Sequence, residues 1–198
     1  MKSLIPLLTA GLIASLTASA AEIGKPAPDF TVNDLEGKSV SLAEFKDQVV
    51  VLEWTNFDCP FVKKHYESGN MPKLQEKFKK MGVVWLTINS SAEGKQGYHP
   101  ATKMAEVAAQ NGNKASHFLI DSDGKMGKAY GAKVTPHMFI IHKNGNLVYN
   151  GAIDSVASTK VEDVEKAEAW LANAIDAILA GKEINNASNK PYGCGVKY

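Results

Sequence analysis

Arginine is absent from this chain of 198 residues, and all 22 basic side chains are lysines. No planar guanidinium fork is therefore available for bidentate capture of an anion, and lysine is not its equal. Cysteine is almost absent: Cys59 and Cys194 are the only two, and no Cys-x-x-Cys occurs. Two cysteines allow one intramolecular pairing. A large excess of either charge is also missing, since 22 basic residues face 21 acidic ones for a net charge of +1. With no basic patch and no acidic tail, nothing points to nucleic acid. Internal repeats and low-complexity tracts are lacking as well.

The start of the chain reads as a targeting segment. Lys2 supplies a positive charge, Leu4 to Leu16 is an apolar run, and Ala18-Ser19-Ala20 is a small-residue cleavage pattern. The run is too short for a membrane span. The expected organisation is a signal peptide over 1–20, one domain over 21–181 and a tail over 182–198 that carries Cys194. Export, to a compartment such as the periplasm, places both cysteines where a disulfide persists.

Along the mature chain, Gly24 to Phe30 is an extended, proline-stiffened lead-in. A small hairpin turns at Asp34–Lys38, and Leu42–Phe45 reads as a helical turn. Val49–Trp54 is an apolar run of the kind found in buried parallel strands. A helix follows Cys59, breaks near Gly69–Pro72 and resumes to Met81, after which Val83–Ile88 forms a second buried strand. This is a right-handed crossover unit. Asn89–Pro100 is turn-rich and reads as a loop, and Ala101–Gln110 as a helix. His117–Ile120 is a short strand, followed by a short helix ending at Tyr130-Gly131. Thr135-Pro136 precedes the strand Met138–Ile141, and Asn144-Gly145 marks a hairpin to Leu147–Tyr149. Thr159 to Leu179 reads as one long amphipathic helix. Lys182 to Tyr198 is polar and without periodicity, which predicts a flexible tail.

The chemistry centres on WTNFDCPFVKKHY, residues 54–66. Cys59 falls where a strand gives way to a helix, and Pro60 suits the first helical position. A thiol there meets free backbone N–H groups and the positive helix end, the setting of a reactive cysteine. Lys63 and Lys64 lie one turn on, where folded-back ammonium groups add to that effect. Asp58 is expected to cap the helix. Glu53, an acid inside an apolar strand, is either a buried group near the thiol or a strand-end charge facing solvent. His65 is expected on a solvated helix face.

The Gly24–Phe30 lead-in with its hairpin, the strand–Cys59-Pro60–helix, and Thr135-Pro136 before an apolar strand together resemble the thioredoxin-like superfamily. DCPFVKKHY, GVVWLTINSSAEGKQGY and PYGCGVKY are similar to a peroxiredoxin-like redoxin subgroup. The resemblance covers nearly all of the mature chain. It implies an α/β thioredoxin-like fold: a central mixed sheet flanked by helices, with an N-terminal β-hairpin extension and an irregular C-terminal tail. It also implies a cis Pro136, with Thr135 before it, beside the active thiol, and His137 near Cys59. The chain departs from its relatives in three ways. Val62 stands where thioredoxins have a second cysteine. Asn56 stands where peroxiredoxins have threonine. Lys63 stands at the second cysteine of exported copper-handling relatives.

The resulting site is Cys59, Cys194, Pro136 and Thr135, with no cofactor and no metal. The expected activity is a thiol-dependent oxidoreductase acting on a disulfide, in a protein or small thiol partner, or on a small peroxide. Cys59 is the nucleophile and Cys194 the candidate resolving cysteine. Two other readings stay open. One is a non-catalytic binding module stapled by a Cys59–Cys194 disulfide. The other is a metal-handling protein using both cysteines and a histidine.

Overall fold

The computed structural model describes residues 20–198, so the expected signal peptide lies almost wholly outside the described residues. A five-stranded sheet in the order β5-β4-β3-β7-β8 forms the centre. It comprises β3 (Val50–Trp54), β4 (Val84–Asn89), β5 (His117–Ile120), β7 (His137–Ile141) and β8 (Leu147–Gly151). β3 runs parallel to β4 and antiparallel to β7, with Trp54 opposite both Ile88 and His137. The sheet is therefore mixed, as the resemblance implies. β1 (Thr31–Asn33) and β2 (Ser39–Ser41) form the separate N-terminal hairpin.

Strand alternation sends successive side chains of the central strands to opposite faces. One face buries Val51, Trp85, Met138, Ile140 and Tyr149 against α1 (Pro60–Glu67), α2 (Asn70–Lys80), α3 (Ala101–Gln110) and α5 (Trp170–Leu179). The other buries Val50, Leu52, Trp54, Leu86 and Phe139 against the N-terminal lead-in and α4 (Lys125–Tyr130). All five residues of β3 are buried, which suits a central strand covered on both sides. The break between α1 and α2 falls at Gly69, whose φ of 71° suits glycine, and Pro72 is accommodated in the first turn of α2.

Two expectations fail at the C-terminal end. The single long helix over 159–179 is instead a 3₁₀ turn at Val161–Asp163 followed by α5. The intervening backbone bonds elsewhere: Ser155 N donates to Glu168 O at 3.1 Å, Glu168 N donates to Ser155 Oγ at 2.8 Å, and Leu171 N donates to Ile153 O at 3.1 Å. Val161, which a continuous amphipathic helix would turn toward the core, is exposed.

The tail is docked rather than flexible. Asn189 receives Ala152 N at 2.7 Å and donates to Tyr149 Oη at 2.9 Å. Val196 N donates to Lys133 O at 3.0 Å, Ala92 N to Lys197 O at 2.8 Å, and Tyr198 Oη to Ala132 O at 2.8 Å. A short strand β9 (Cys194–Gly195) pairs antiparallel with β6 (Val134–Thr135). Short backbone pairings and single side-chain anchors hold this segment, and neither leaves a periodic trace in a sequence.

Candidate functional site

Cys59 is the N-cap of α1, its carbonyl accepting from Val62 N and Lys63 N at 3.0 and 2.9 Å. The turn that presents it is fixed by Asn56, whose carbonyl accepts from Cys59 N at 2.9 Å and whose Oδ1 accepts from Asp58 N at 2.9 Å. Asn56 Nδ2 donates to Gln96 O at 3.3 Å, and Gly97 packs directly on its amide. At the position expected for a peroxidatic threonine, Asn56 thus braces the turn against the 89–100 loop. Asp58 does not cap the helix: its side chain is exposed and no side-chain cap is formed at Cys59.

The Thr135–Pro136 bond is cis, and Cys59 Sγ donates to Thr135 O at 3.1 Å. The tail also lies against Thr135, with Cys194 directly opposite it in the β6–β9 pair. Thr135 Oγ1 donates to Cys194 O at 3.5 Å. Gly193 makes this approach. Its φ is 144°, and an added Cβ would stand 2.0 Å from Thr135 O. Only glycine adopts that backbone and brings the chain so close.

Cys194 is thereby packed against the buried cluster that holds Cys59. Burial first, and then the neighbouring Cys59 thiol, push the Cys194 thiol up to about 11. The structure holds both cysteines as thiols. Cys59 is fully buried and Cys194 partly exposed. All four residues singled out in the sequence, Cys59, Cys194, Thr135 and Pro136, therefore meet at one point.

Other candidates lie elsewhere. Lys63 is exposed. Lys64 turns away from the thiol into the protein, where its Nζ donates to Val156 O at 2.9 Å. His65 is not on a solvated face but fully buried. His137 shares its strand face with Phe139, opposite the face that buries Cys59. Its Nε2 meets Asn150 Oδ1 at 2.8 Å, its Nδ1 accepts from Lys133 N at 3.2 Å, and burial lowers it to about 4. His137 therefore stays neutral and takes no part at the thiols. Among the described residues no three His, Cys, Asp or Glu side chains converge as metal ligands, so the metal-handling reading lacks its third donor.

Glu53 is wholly buried rather than solvent-facing. It accepts from Tyr66 Oη (2.7 Å), Trp85 Nε1 (2.8 Å), Gln75 Nε2 (2.9 Å) and Thr87 Oγ1 (3.2 Å). Burial raises it above the ordinary carboxylate range despite these four donors.

Sequence reasoning missed a buried polar group formed by Lys64, His65, Asp154 and Tyr192. A lysine and a histidine on a short helix carry no sequence mark of burial. Asp154 and Tyr192 lie 90 and 128 positions beyond Lys64 in the chain.

A thiol at the start of a helix, a cis-proline loop beside it and this sheet order define a thioredoxin-like thiol protein. Comparison with known proteins narrows the class: the chain belongs to the Redoxin family, whose model matches residues 22–169. It is 31% identical over 131 residues to the thiol-disulfide oxidoreductase ResA of Bacillus thuringiensis subsp. konkukian, covering 64% of this chain and 68% of that protein. Two solved structures are similar over most of their length. An uncharacterized conserved protein from Geobacillus kaustophilus gives a TM-score of 0.75 at 26% identity, covering 89% of this chain and 92% of that one. A hypothetical protein from Sinorhizobium meliloti gives 0.75 at 26% identity, covering 91% and 96%.

Proposed function

We propose that this protein is an exported thiol-disulfide oxidoreductase that works through a distant cysteine pair, Cys59 and Cys194. The observation that carries the reading is the β6–β9 pairing, which sets Cys194 opposite Thr135, whose carbonyl accepts from Cys59 Sγ at 3.1 Å at the cis Thr135–Pro136 bond. Membership of the Redoxin family and the likeness to thiol-disulfide oxidoreductases support the same chemistry. The export assignment rests on the first 20 residues.

The Cys59 thiolate attacks one sulfur of a partner disulfide. A Cys59–partner bond forms, the partner S–S bond breaks, and the other partner sulfur leaves as a thiolate. Cys194 must then lose its proton to attack Cys59 Sγ. While Cys59 is a thiolate, its negative charge nearby favours keeping that proton on Cys194. Once Cys59 is in the mixed disulfide, that charge is gone and Cys194 becomes easier to ionise. Its attack expels the second partner thiolate and leaves a Cys59–Cys194 disulfide. The partner gains two electrons and the protein loses two. The reverse sequence oxidises a partner dithiol.

Two features weigh against the rival readings. The tail is docked by Asn189, Tyr192 and Tyr198 through hydrogen bonds that do not involve sulfur, so a staple is not needed to hold it. For a peroxide substrate, the chain has no arginine, and Lys64 is turned away from the thiol.

Titration of the native protein against glutathione, with mass analysis of alkylated cysteines, tests the reading. One reversible intramolecular disulfide is expected. Two persistent free thiols, dimers linked through Cys194, or a bridge that reduces only on unfolding would overturn it.

A further inference from the structure

Tyr192 lies two residues before Cys194 and is tied to the same helix that begins at Cys59. Its hydroxyl donates to Asp154 Oδ1 and meets His65 Nε2 at 3.1 Å and Lys64 Nζ at 3.5 Å. His65 Nδ1 accepts from Asn70 Nδ2 at 2.9 Å, so Nε2 carries the hydrogen and donates to Tyr192. Lys64 Nζ lies 3.4 Å from Asp154 Oδ2, close enough for a charge pair but without hydrogen-bond alignment. The Tyr192 ring packs on Phe61 of α1 with centroids 5.8 Å apart. The tyrosine hydroxyl thus has three partners, in a place where burying a lysine and an aspartate is costly.

Helix α1 carries Cys59 at its start and Lys64 and His65 further along. Two residues of chain reach at most about 7 Å. An anchor at Tyr192 therefore fixes Cys194 in the frame of α1 itself, independently of the short β6–β9 pair. The same anchor keeps the tail over Cys59, which is fully buried.

We propose that Tyr192 is a positioning residue of the cysteine pair: locked among Asp154, His65 and Lys64, it holds Cys194 on Cys59, favouring ring closure and shielding Cys59 from outside reagents. This rests on the dithiol reading above. Loosening the anchor has opposite effects on the two halves of the reaction. Closure weakens, because Cys194 is less well placed. First attack quickens, because Cys59 is uncovered more often.

The test uses the full chain and Tyr192→Phe, which keeps the ring on Phe61 and removes only the hydroxyl. The equilibrium constant for closing the Cys59–Cys194 disulfide against glutathione should fall about tenfold, the scale of one buried hydrogen bond. That fall corresponds to a potential about 30 mV higher for a two-electron couple. In a Cys194→Ser background, iodoacetamide should alkylate Cys59 several-fold faster with Tyr192→Phe than without it. Hydrogen exchange at Val196 N, which reports tail docking through Lys133 O, should quicken while β3 stays protected. Asp154→Asn carries the same expectations should the first variant fold poorly. If the native chain forms no reversible disulfide, the dithiol reading fails. If it does, and the variants match it within twofold in both potential and alkylation rate, the positioning role is overturned while that reading stands. General destabilisation that slows both steps overturns it too.

Discussion

Gly193→Ala should lever the tail off the site. At a φ of 144° an L side chain is strained, by about 1–3 kcal/mol. The new Cβ would stand 2.0 Å from Thr135 O and 2.6 Å from Thr135 C, both backbone atoms that no rotamer change can move. Ordinary contact begins at 3.4 Å, so β9 must retreat by about 1.4 Å. That stretches the 3.0 Å bond from Val196 N to Lys133 O beyond hydrogen-bond range and costs about 1 kcal/mol more. The total is about 2–4 kcal/mol, which for a domain of this size lowers the melting temperature by roughly 5–15 °C. Cys59, fully buried in the native chain, should become open to alkylation. Gly195→Ala is the matched control, because its Cβ would meet nothing closer than Lys133 O at 4.0 Å. Thermal melts and iodoacetamide labelling in a Cys194→Ser background read both effects. If Gly193→Ala melts with the native protein and protects Cys59 equally, or if the two glycine variants behave alike, the account of the tail is wrong.

Further outcomes follow from the site and the core. Cys59→Ser should abolish reduction of a disulfide substrate, while Cys194→Ser should retain the first attack and accumulate a mixed disulfide visible by intact mass; an unaltered turnover rate in either refutes the assigned order. His65 and His137, both lowered to about 4 by burial, should make stability fall as pH drops from about 6.5 towards 4. In that window the unfolded imidazoles hold protons that the folded ones do not, so each contributes a slope of about 1.4 kcal/mol per pH unit. Urea unfolding at stepped pH measures it, and His137→Asn should remove about half of the slope relative to the native chain. Glu53→Ala should cost about 3–5 kcal/mol, since Tyr66, Gln75, Trp85 and Thr87 each lose a buried acceptor. A loss below 1 kcal/mol in urea unfolding contradicts that network.

The fold was legible because its signals are local. The apolar runs of β3 and β4, the glycine at the break between helices, and Asn144-Gly145 each dictate backbone geometry within a few residues. Cys59 and Pro136 were legible for the same reason, and Cys194 because no other cysteine remains. The docked tail was not. Its side-chain anchors are one asparagine and two tyrosines whose partners lie 37, 38 and 66 positions away, and such pairings leave no pattern along a chain. The long helix over 159–179 was misread because Ser155 and Ile153 compete for its backbone N–H groups, a tertiary claim that overrides periodicity. Burial of His65 leaves no sequence mark because Asn70 and Tyr192 satisfy its two ring nitrogens from outside its own helix.

The 135 positions between Cys59 and Cys194 also order events in time. A polypeptide is made from its N-terminus, at about 5–20 residues per second. For several seconds the growing chain thus carries a complete strand–cysteine–helix unit with no thiol of its own to answer it, since Val62 occupies the nearest place. During that interval any thiol that reacts with Cys59 is foreign. The chain gains custody of its own nucleophile only when residues 192–194 emerge and Tyr192 finds its seat.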